Sequence, residues 1–293
     1  VIAARDDAAA IAAAPRADAV IGFCSAELLA KGTRIRWIQV LSAGVERCVS
    51  NPGFADRGIL LTNMQRVAGP VMAEHVMAMT LALARGLPTY LRLQDQGRWD
   101  REAVGEERTL ALEGKTMLIA GLGGIGTEVG RRAYGFGMRI IATRASNRPA
   151  PEFVSHVGPP AELASLLKEA DVIVNALPLT DETTALFDAK LFAAMKPRAL
   201  FINVGRGRTV VTAELVKALT EHRIGGAGLD VTDPEPLPPD HPLWHAPNVI
   251  ITPHVSSDSD FGSERHWQIA RENLRRYVAG DRMLSVVDAK RGY

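Results

Sequence analysis

Helix and strand signals alternate over most of this chain, one strand runs into a glycine turn that opens a helix, and a second strand follows at the spacing of a βαβ unit. Together these observations predict an α/β protein with a doubly wound parallel sheet and a second, smaller α/β domain. The length of 293 residues, more than one core usually serves, points the same way.

Val1 reads as the tail of a strand, and an alanine-rich helix over about 6–14 follows, capped by Asp6 or Asp7. A strand at 19–23, a short helix at 26–29 and a strand at 35–41 come next. Ser42-Ala43-Gly44-Val45-Glu46 is then a strand-to-loop turn whose amides can receive an anion. A short strand at 59–62 closes this first layer. Residues 69–84 form a long helix, apolar on most faces and so placed at a domain boundary. Residues 87–113, with Pro88, Gly97 and Gly105, read as polar and irregular.

The apolar run 117–120 leads into Gly121-Leu122-Gly123-Gly124-Ile125-Gly126, residues 127–134 favour helix, and 138–143 read as the next parallel strand. Such a unit uses its first glycine for a tight turn, its second for backbone approach to a pyrophosphate and its third for helix–strand packing; the helix N-terminus faces the phosphates. A bare GxGxxG is weak. Flanked by two strands and a helix, it predicts a Rossmann dinucleotide site.

A carboxylate about 20 residues beyond the glycines usually holds the ribose 2′-hydroxyl of NAD. Here Thr143, Arg144, Ala145, Ser146, Asn147 and Arg148 occupy that place. Arginines and hydroxyls suit a 2′-phosphate, so NADP is expected over NAD, although NAD remains possible. Further on, helices at 163–169, 189–195 and 213–221 alternate with strands at 171–176, 199–203, 226–230 and 249–252, which argues a doubly wound sheet. Residues 233–242 are a stiff proline-rich loop, and a helix over about 263–278 leads to Arg291-Gly292-Tyr293.

Arg206, Glu235 and His254 stand just beyond three of these strand ends, where ligands of open α/β sheets bind. Hydride transfer to a keto acid needs a cation for the carboxylate and carbonyl, and an acid for the new alkoxide. Arginine offers a planar fork for the first task and histidine titrates near neutrality for the second. Taken singly, each has a plainer reading as a loop or surface residue; together they point to chemistry.

Composition excludes little else. With 47% hydrophobic and 23% charged residues and a net charge of +1, nothing calls for nucleic acid or an anionic membrane as a partner. The most apolar helical stretch, 71–84, is short and interrupted by Glu74 and His75, and neither a bilayer span nor a signal peptide is expected. Cys24 and Cys48 are too few for a disulfide framework, which fits a reducing cytoplasm. No metal is expected.

The ordered motifs Ser42-Ala43-Gly44-Val45, Ala73-Glu74-His75, GLGGIG, Leu177-Pro178-Leu179-Thr180, Asn203-Val204-Gly205-Arg206-Gly207, Leu229-Asp230-Val231, Glu235-Pro236-Leu237 and 247–254 resemble the D-isomer-specific 2-hydroxyacid dehydrogenases, especially the glyoxylate and hydroxypyruvate reductase branch. The resemblance implies that Arg206 binds the substrate's carboxylate and carbonyl, that His254 is the general acid/base, and that Glu235 pairs with it. Ala43 and Gly44 would receive the substrate carboxylate. Gly124 and Ile125 would lie against the pyrophosphate, Leu177 and Pro178 near the adenosine, and Val204 and Asp230 near the nicotinamide. It also implies a discontinuous flavodoxin-like substrate domain, 1–85 plus 263–293, around a cofactor domain at 86–262. A homodimer through the cofactor domain follows from the same resemblance. The family's first domain opens with a strand and helix ahead of the point matching Val1, so residues are expected to precede it.

The expected activity is NADPH-dependent reduction of glyoxylate or hydroxypyruvate. Bulkier keto acids are an alternative within the class. A formate dehydrogenase would carry Gln in place of Glu235, and a phosphoglycerate dehydrogenase often adds a regulatory domain. Outside the class, nucleotide-sensing corepressors share the resemblance and can keep all three polar residues.

Overall fold

The computed structural model describes residues 1–51, 54–105, 109–260 and 264–288. The chain forms two compact units, Val1–Ala68 with Ser259–Tyr293, and Gly69–Asp258.

The first unit begins with α1 (Asp7–Ala13), whose N-cap Asp6 accepts from the Ala9 amide. Residues 1–4 are not a strand, contrary to expectation; they are exposed and join neither sheet. β1 (Ala19–Ile21), α2 (Ala26–Lys31), β2 (Trp37–Gln39), α3 (Glu46–Val49) and β3 (Leu60–Thr62) follow. The three strands run parallel in the order given.

The long helix α4 (Gln65–Ala84) starts earlier than the sequence suggests and carries Pro70 inside it, past the first turn, at the loss of one intrahelical hydrogen bond. From residue 69 it belongs to the second unit, so the division falls at 68/69 where the sequence reading placed it at 85/86. The reason is its packing: Met79 lies over Gly228 and His75 reaches Thr252. The stretch Val67–Ala84 is long and apolar enough by composition to cross a membrane, which the sequence reading did not allow, yet 56% of it is buried within the protein. A second helix, α5 (Leu87–Asp95), occupies what reads as irregular chain. Gly86, left-handed at φ 65°, breaks the preceding helix, and Pro88 sits in the first turn of α5, where proline is tolerated.

β4 (Thr116–Ala120), α6 (Gly124–Gly135) and β5 (Arg139–Thr143) form the expected βαβ unit. β6 (Val154–Gly158), absent from the sequence reading, extends the sheet beyond β5; its mixed burial and the exposed His156 in mid-strand hide the strand pattern. α7 (Leu163–Leu167), β7 (Val172–Asn175), α8 (Ala189–Ala194), β8 (Leu200–Asn203), α9 (Thr212–Thr220), β9 (Gly226–Leu229) and β10 (Val249–Ile251) complete the unit. The seven-stranded parallel sheet has the order β10-β9-β8-β7-β4-β5-β6, so the winding reverses between β4 and β7.

Successive residues of a strand face opposite sides of a sheet. Leu118, Ile141, Ile173 and Phe201 pack with Leu166, Phe192 and Leu215 in one core. On the other face Ile119 and Ile140 lie against Gly130 of α6. Each fully buried side chain of this kind contributes about 1.5–3 kcal/mol, which is why these strands read as continuous apolar runs.

The chain then returns to the first unit through α10 (Glu264–Ala279) and β11 (Val286–Val287), which pairs antiparallel with β3 and was not expected. Asn273 of α10 is fully buried and its Nδ2 donates to Gln39 Oε1 at 2.7 Å; on the same helix, the Tyr277 ring lies tilted against that of Trp37, with centroids 5.1 Å apart. The expected helix start at Ser263, the boundary at 262/263 and the terminal Arg291-Gly292-Tyr293 lie outside the described residues. Cys24 and Cys48 are joined as a disulfide, with Cys48 buried in this unit's core. The fold brings together residues that the sequence reading treated as separate thiols, so cysteine usage no longer argues for a reducing compartment.

Candidate active site

The glycine turn fits a dinucleotide. Gly121 has φ +99°, and a Cβ there would lie 2.9 Å from the Ala176 carbonyl oxygen. A Cβ on Gly126 would overlap the Gly121 carbonyl and stand 2.8 Å from Ile119 Cγ2, so α6 packs on β4 only because this residue is glycine. At Gly123 the same atom would meet nothing within 4 Å, leaving open backbone at the helix N-cap. Gly124 and Ile125 form the first turn of α6, whose amides and dipole suit a phosphate. Leu177 and Pro178 follow β7 across the winding reversal, where the Leu177 amide donates to Asn175 Oδ1 and Thr183 Oγ1 donates to the Pro178 carbonyl.

At the end of β5, Thr143 is buried, and its carbonyl accepts the amides of Gly121 and Leu122. Solvent access begins at Arg144. Arg144, Ser146, Asn147 and Arg148 line a cleft of about 490 Å³, together with Ala145, Ala150, Val157, Gly158 and Pro159; none of these is acidic. The Arg144 guanidinium currently donates to the carbonyls of Ser146 and Arg148 on its own loop.

Register explains how the loops carrying the three polar residues come to one edge of the sheet. Asn203 pairs with Leu229 across β8 and β9, and Leu229 with Ile251 across β9 and β10, so three consecutive loops leave the sheet at one level. Arg206 sits in the first. Its carbonyl accepts from Asn203 Nδ2 at 3.3 Å and Thr209 Oγ1 at 2.7 Å, and Asn203 Oδ1 in turn accepts from Asn175 Nδ2 at 3.0 Å. Asn175, Asn203 and Thr209 are all buried, so the loop is braced by a satisfied polar network. Val204 is buried directly ahead of it. A Cβ on Gly207 would overlap the Thr232 carbonyl, which brings the Arg206 loop against the one carrying Glu235.

His254 Nδ1 is 2.6 Å from Glu235 Oε1. A carboxylate can only accept, so Nδ1 carries the hydrogen of this contact. Asp230, which the resemblance places near the nicotinamide, is buried, and its carboxylate holds the third loop. Oδ1 accepts from Thr252 Oγ1 at 2.7 Å and the Val255 amide at 2.9 Å, and Oδ2 from the Ser256 amide at 3.0 Å. Burial pushes this carboxyl up, but the hydrogen bonds from Ser256 and Thr252 and the two amides outweigh it and hold it below the ordinary value. The sequence reading gave Asn203 and Thr252 no role beyond membership of their motifs, and it did not name Asn175 or Thr209 at all.

Ala43 and Gly44 belong to the first unit. Their turn is fixed by Ser42 Oγ donating to the Gly44 carbonyl at 2.6 Å and Asn63 Nδ2 to the Ala43 carbonyl at 2.7 Å. No group of three or more His, Cys, Asp or Glu side chains suited to a metal is present among the described residues.

Residues 77–256 match the family model for the D-isomer specific 2-hydroxyacid dehydrogenase NAD-binding domain. A glyoxylate reductase from Korarchaeum cryptofilum is 34% identical over 259 residues, spanning 87% of this chain and 77% of that protein. A D-isomer specific 2-hydroxyacid dehydrogenase family protein from Aeromonas salmonicida has a similar crystal structure, with TM-score 0.81 and 34% identity, covering 98% of this chain and 90% of the other. The NADPH-dependent glyoxylate/hydroxypyruvate reductase of Sinorhizobium meliloti, solved with NADP and sulfate, superposes with TM-score 0.82 at 29% identity, covering 94% and 86%. With its glycine turn, parallel sheet and His254–Glu235 pair, the chain belongs to the D-isomer specific 2-hydroxyacid dehydrogenase family.

Proposed function

We propose that this protein is an NADPH-preferring reductase of small 2-keto acids, with glyoxylate or hydroxypyruvate as substrate. The observation that carries the reading is the 2.6 Å contact between His254 Nδ1 and Glu235 Oε1, on loops at the carboxyl edge of the sheet that also bears the glycine turn. The similarity to the Korarchaeum and Sinorhizobium reductases supports the substrate class.

When bound, the nicotinamide cofactor supplies the hydride taken by the keto carbon. Arg206 holds the substrate's carboxylate and carbonyl through its planar guanidinium. His254 gives a proton from Nε2 to the carbonyl oxygen, which becomes the hydroxyl of the product. Glu235 accepts from Nδ1 and fixes the ring with Nε2 as the donating atom. Arg144, Ser146 and Arg148 around a cleft without carboxylates support NADP, whose 2′-phosphate an acidic residue would repel.

The test is a steady-state panel of 2-keto acids with NADPH and NADH, run on the wild type and His254→Ala. Glyoxylate or hydroxypyruvate with NADPH gives the highest kcat/KM, and His254→Ala loses roughly 10²- to 10⁴-fold in turnover. Absence of NADPH oxidation with every keto acid, or full turnover in His254→Ala, overturns the reading.

A further inference from the structure

His75 has no part in the chemistry described so far. It lies on α4, far in sequence from the strand-end loops, and its side chain is 22% exposed. Its Nε2 is 2.9 Å from Thr252 Oγ1, and the same Nε2 lies 3.8 Å from Asp230 Oδ1. The packing explains the reach. Met79, one helical turn further on, lies against Gly228 in β9, where a Cβ would come within 3.1 Å of its Cβ. One turn back along the helix corresponds to about two residues along a strand, which sets His75 beside Asp230 and the end of β10.

The protons in this chain of groups can be assigned. Thr252 Oγ1 has one hydrogen and donates it to Asp230 Oδ1 at 2.7 Å, since a carboxylate accepts only. The hydroxyl must therefore accept from His75, and Nε2 is the donor.

What the chain supports is the backbone of His254. That residue has φ +57°, a left-handed conformation costing about 1–3 kcal/mol unless its surroundings enforce it. Enforcement comes from Asp230. Its carbonyl accepts the His254 amide at 2.9 Å, and its carboxylate takes the amides of Val255 and Ser256. Thr252 completes the clamp from the other side of the turn.

We propose that His75 is a positioning residue for proton transfer: its Nε2–H donates to Thr252, which orients the hydroxyl toward Asp230 and locks the left-handed turn that presents His254. This rests on the reading of His254 as the proton donor. The role is to hold the donor in place, so its loss affects turnover more than substrate affinity.

The experiment is steady-state reduction of glyoxylate by NADPH with His75→Leu, His75→Gln, Thr252→Val, the Leu/Val double variant and His254→Ala. In His75→Leu, kcat falls about 10- to 100-fold, as expected for a misplacement of the order of 1 Å, while KM for glyoxylate moves less than about threefold. His75→Gln, whose amide can donate from a similar position, recovers most of the turnover. Thr252→Val reproduces the loss, and the double variant is no worse than either single one, because all break one chain. Wild-type turnover in His75→Leu, or equal loss in His75→Gln and His75→Leu, overturns the inference. Should His75→Leu fail to fold, unchanged kcat in Thr252→Val does the same without disturbing α4. Full turnover in His254→Ala sinks the underlying reading; its loss beside an unaffected His75→Leu sinks this inference alone.

Discussion

Two glycines of one motif, three residues apart, respond oppositely to the same added methyl group. In Gly126→Ala the new Cβ overlaps the Gly121 carbonyl and comes 2.8 Å from Ile119 Cγ2 and 3.2 Å from the Gly121 carbonyl carbon. A backbone oxygen cannot rotate away, so the cost lies at the upper end of overpacking, about 3 kcal/mol. Replacing a helical glycine by alanine returns about 1 kcal/mol of propensity, leaving a net loss of about 2 kcal/mol. For a unit of this size that lowers Tm by about 4–8 °C. Gly123→Ala meets nothing within 4 Å, and its backbone, φ −92° and ψ −154°, is open to alanine. Tm then stays level or rises slightly, by the equivalent of about 0.4–1 kcal/mol from the stiffer unfolded chain. Its cost appears in binding: the methyl group occupies the face that a pyrophosphate approaches, and NADPH Kd weakens about tenfold or more through lost charge-assisted hydrogen bonds. Thermal unfolding followed by circular dichroism and NADPH fluorescence titration separate the two effects. A Gly126→Ala protein that melts with the wild type, or a Gly123→Ala protein that binds NADPH equally tightly, refutes the reasoning.

Arg144→Asp places a carboxylate beside the cleft, and kcat/KM with NADPH falls about 10- to 100-fold while NADH is spared; an equal loss with both cofactors removes Arg144 from the choice between them. The folded-state carboxyl of Asp230 lies below its ordinary value of 3.8. Its stabilising contribution is therefore complete above about pH 3.8 and is lost as pH falls through the lower folded value. Chemical denaturation of the wild type and Asp230→Asn shows a stability gap that is flat at neutral pH and closes only in acid; a gap that stays constant into strong acid contradicts the assignment.

Much of the site was legible in the sequence because its signals are local. Strand, glycine turn and helix are contiguous, and Arg206, Glu235 and His254 each sit three to six residues past a strand. β6 escaped because its alternation is weak and an exposed His156 interrupts it. α5 escaped because Pro88 reads as a breaker, although in a first helical turn it is compatible with helix. Asp230 was located but its task was not: the partners of its carboxylate are 22 to 26 residues further along.

The sequence by itself determined the class of protein and the glycine turn, and it picked out the three candidate side chains, since these depend on residue type and short spacing. Only the tertiary structure decided which groups far apart in the sequence pair with one another. His75 and Thr252 are separated by 177 residues, Gln39 and Asn273 by 234, and Cys24 meets Cys48 across two elements. Such pairings follow from how helices settle on a sheet, where the absence of a Cβ at Gly228 sets how closely α4 approaches and so which of its side chains reach the strand ends. That distance is a property of packing, and no local pattern encodes it.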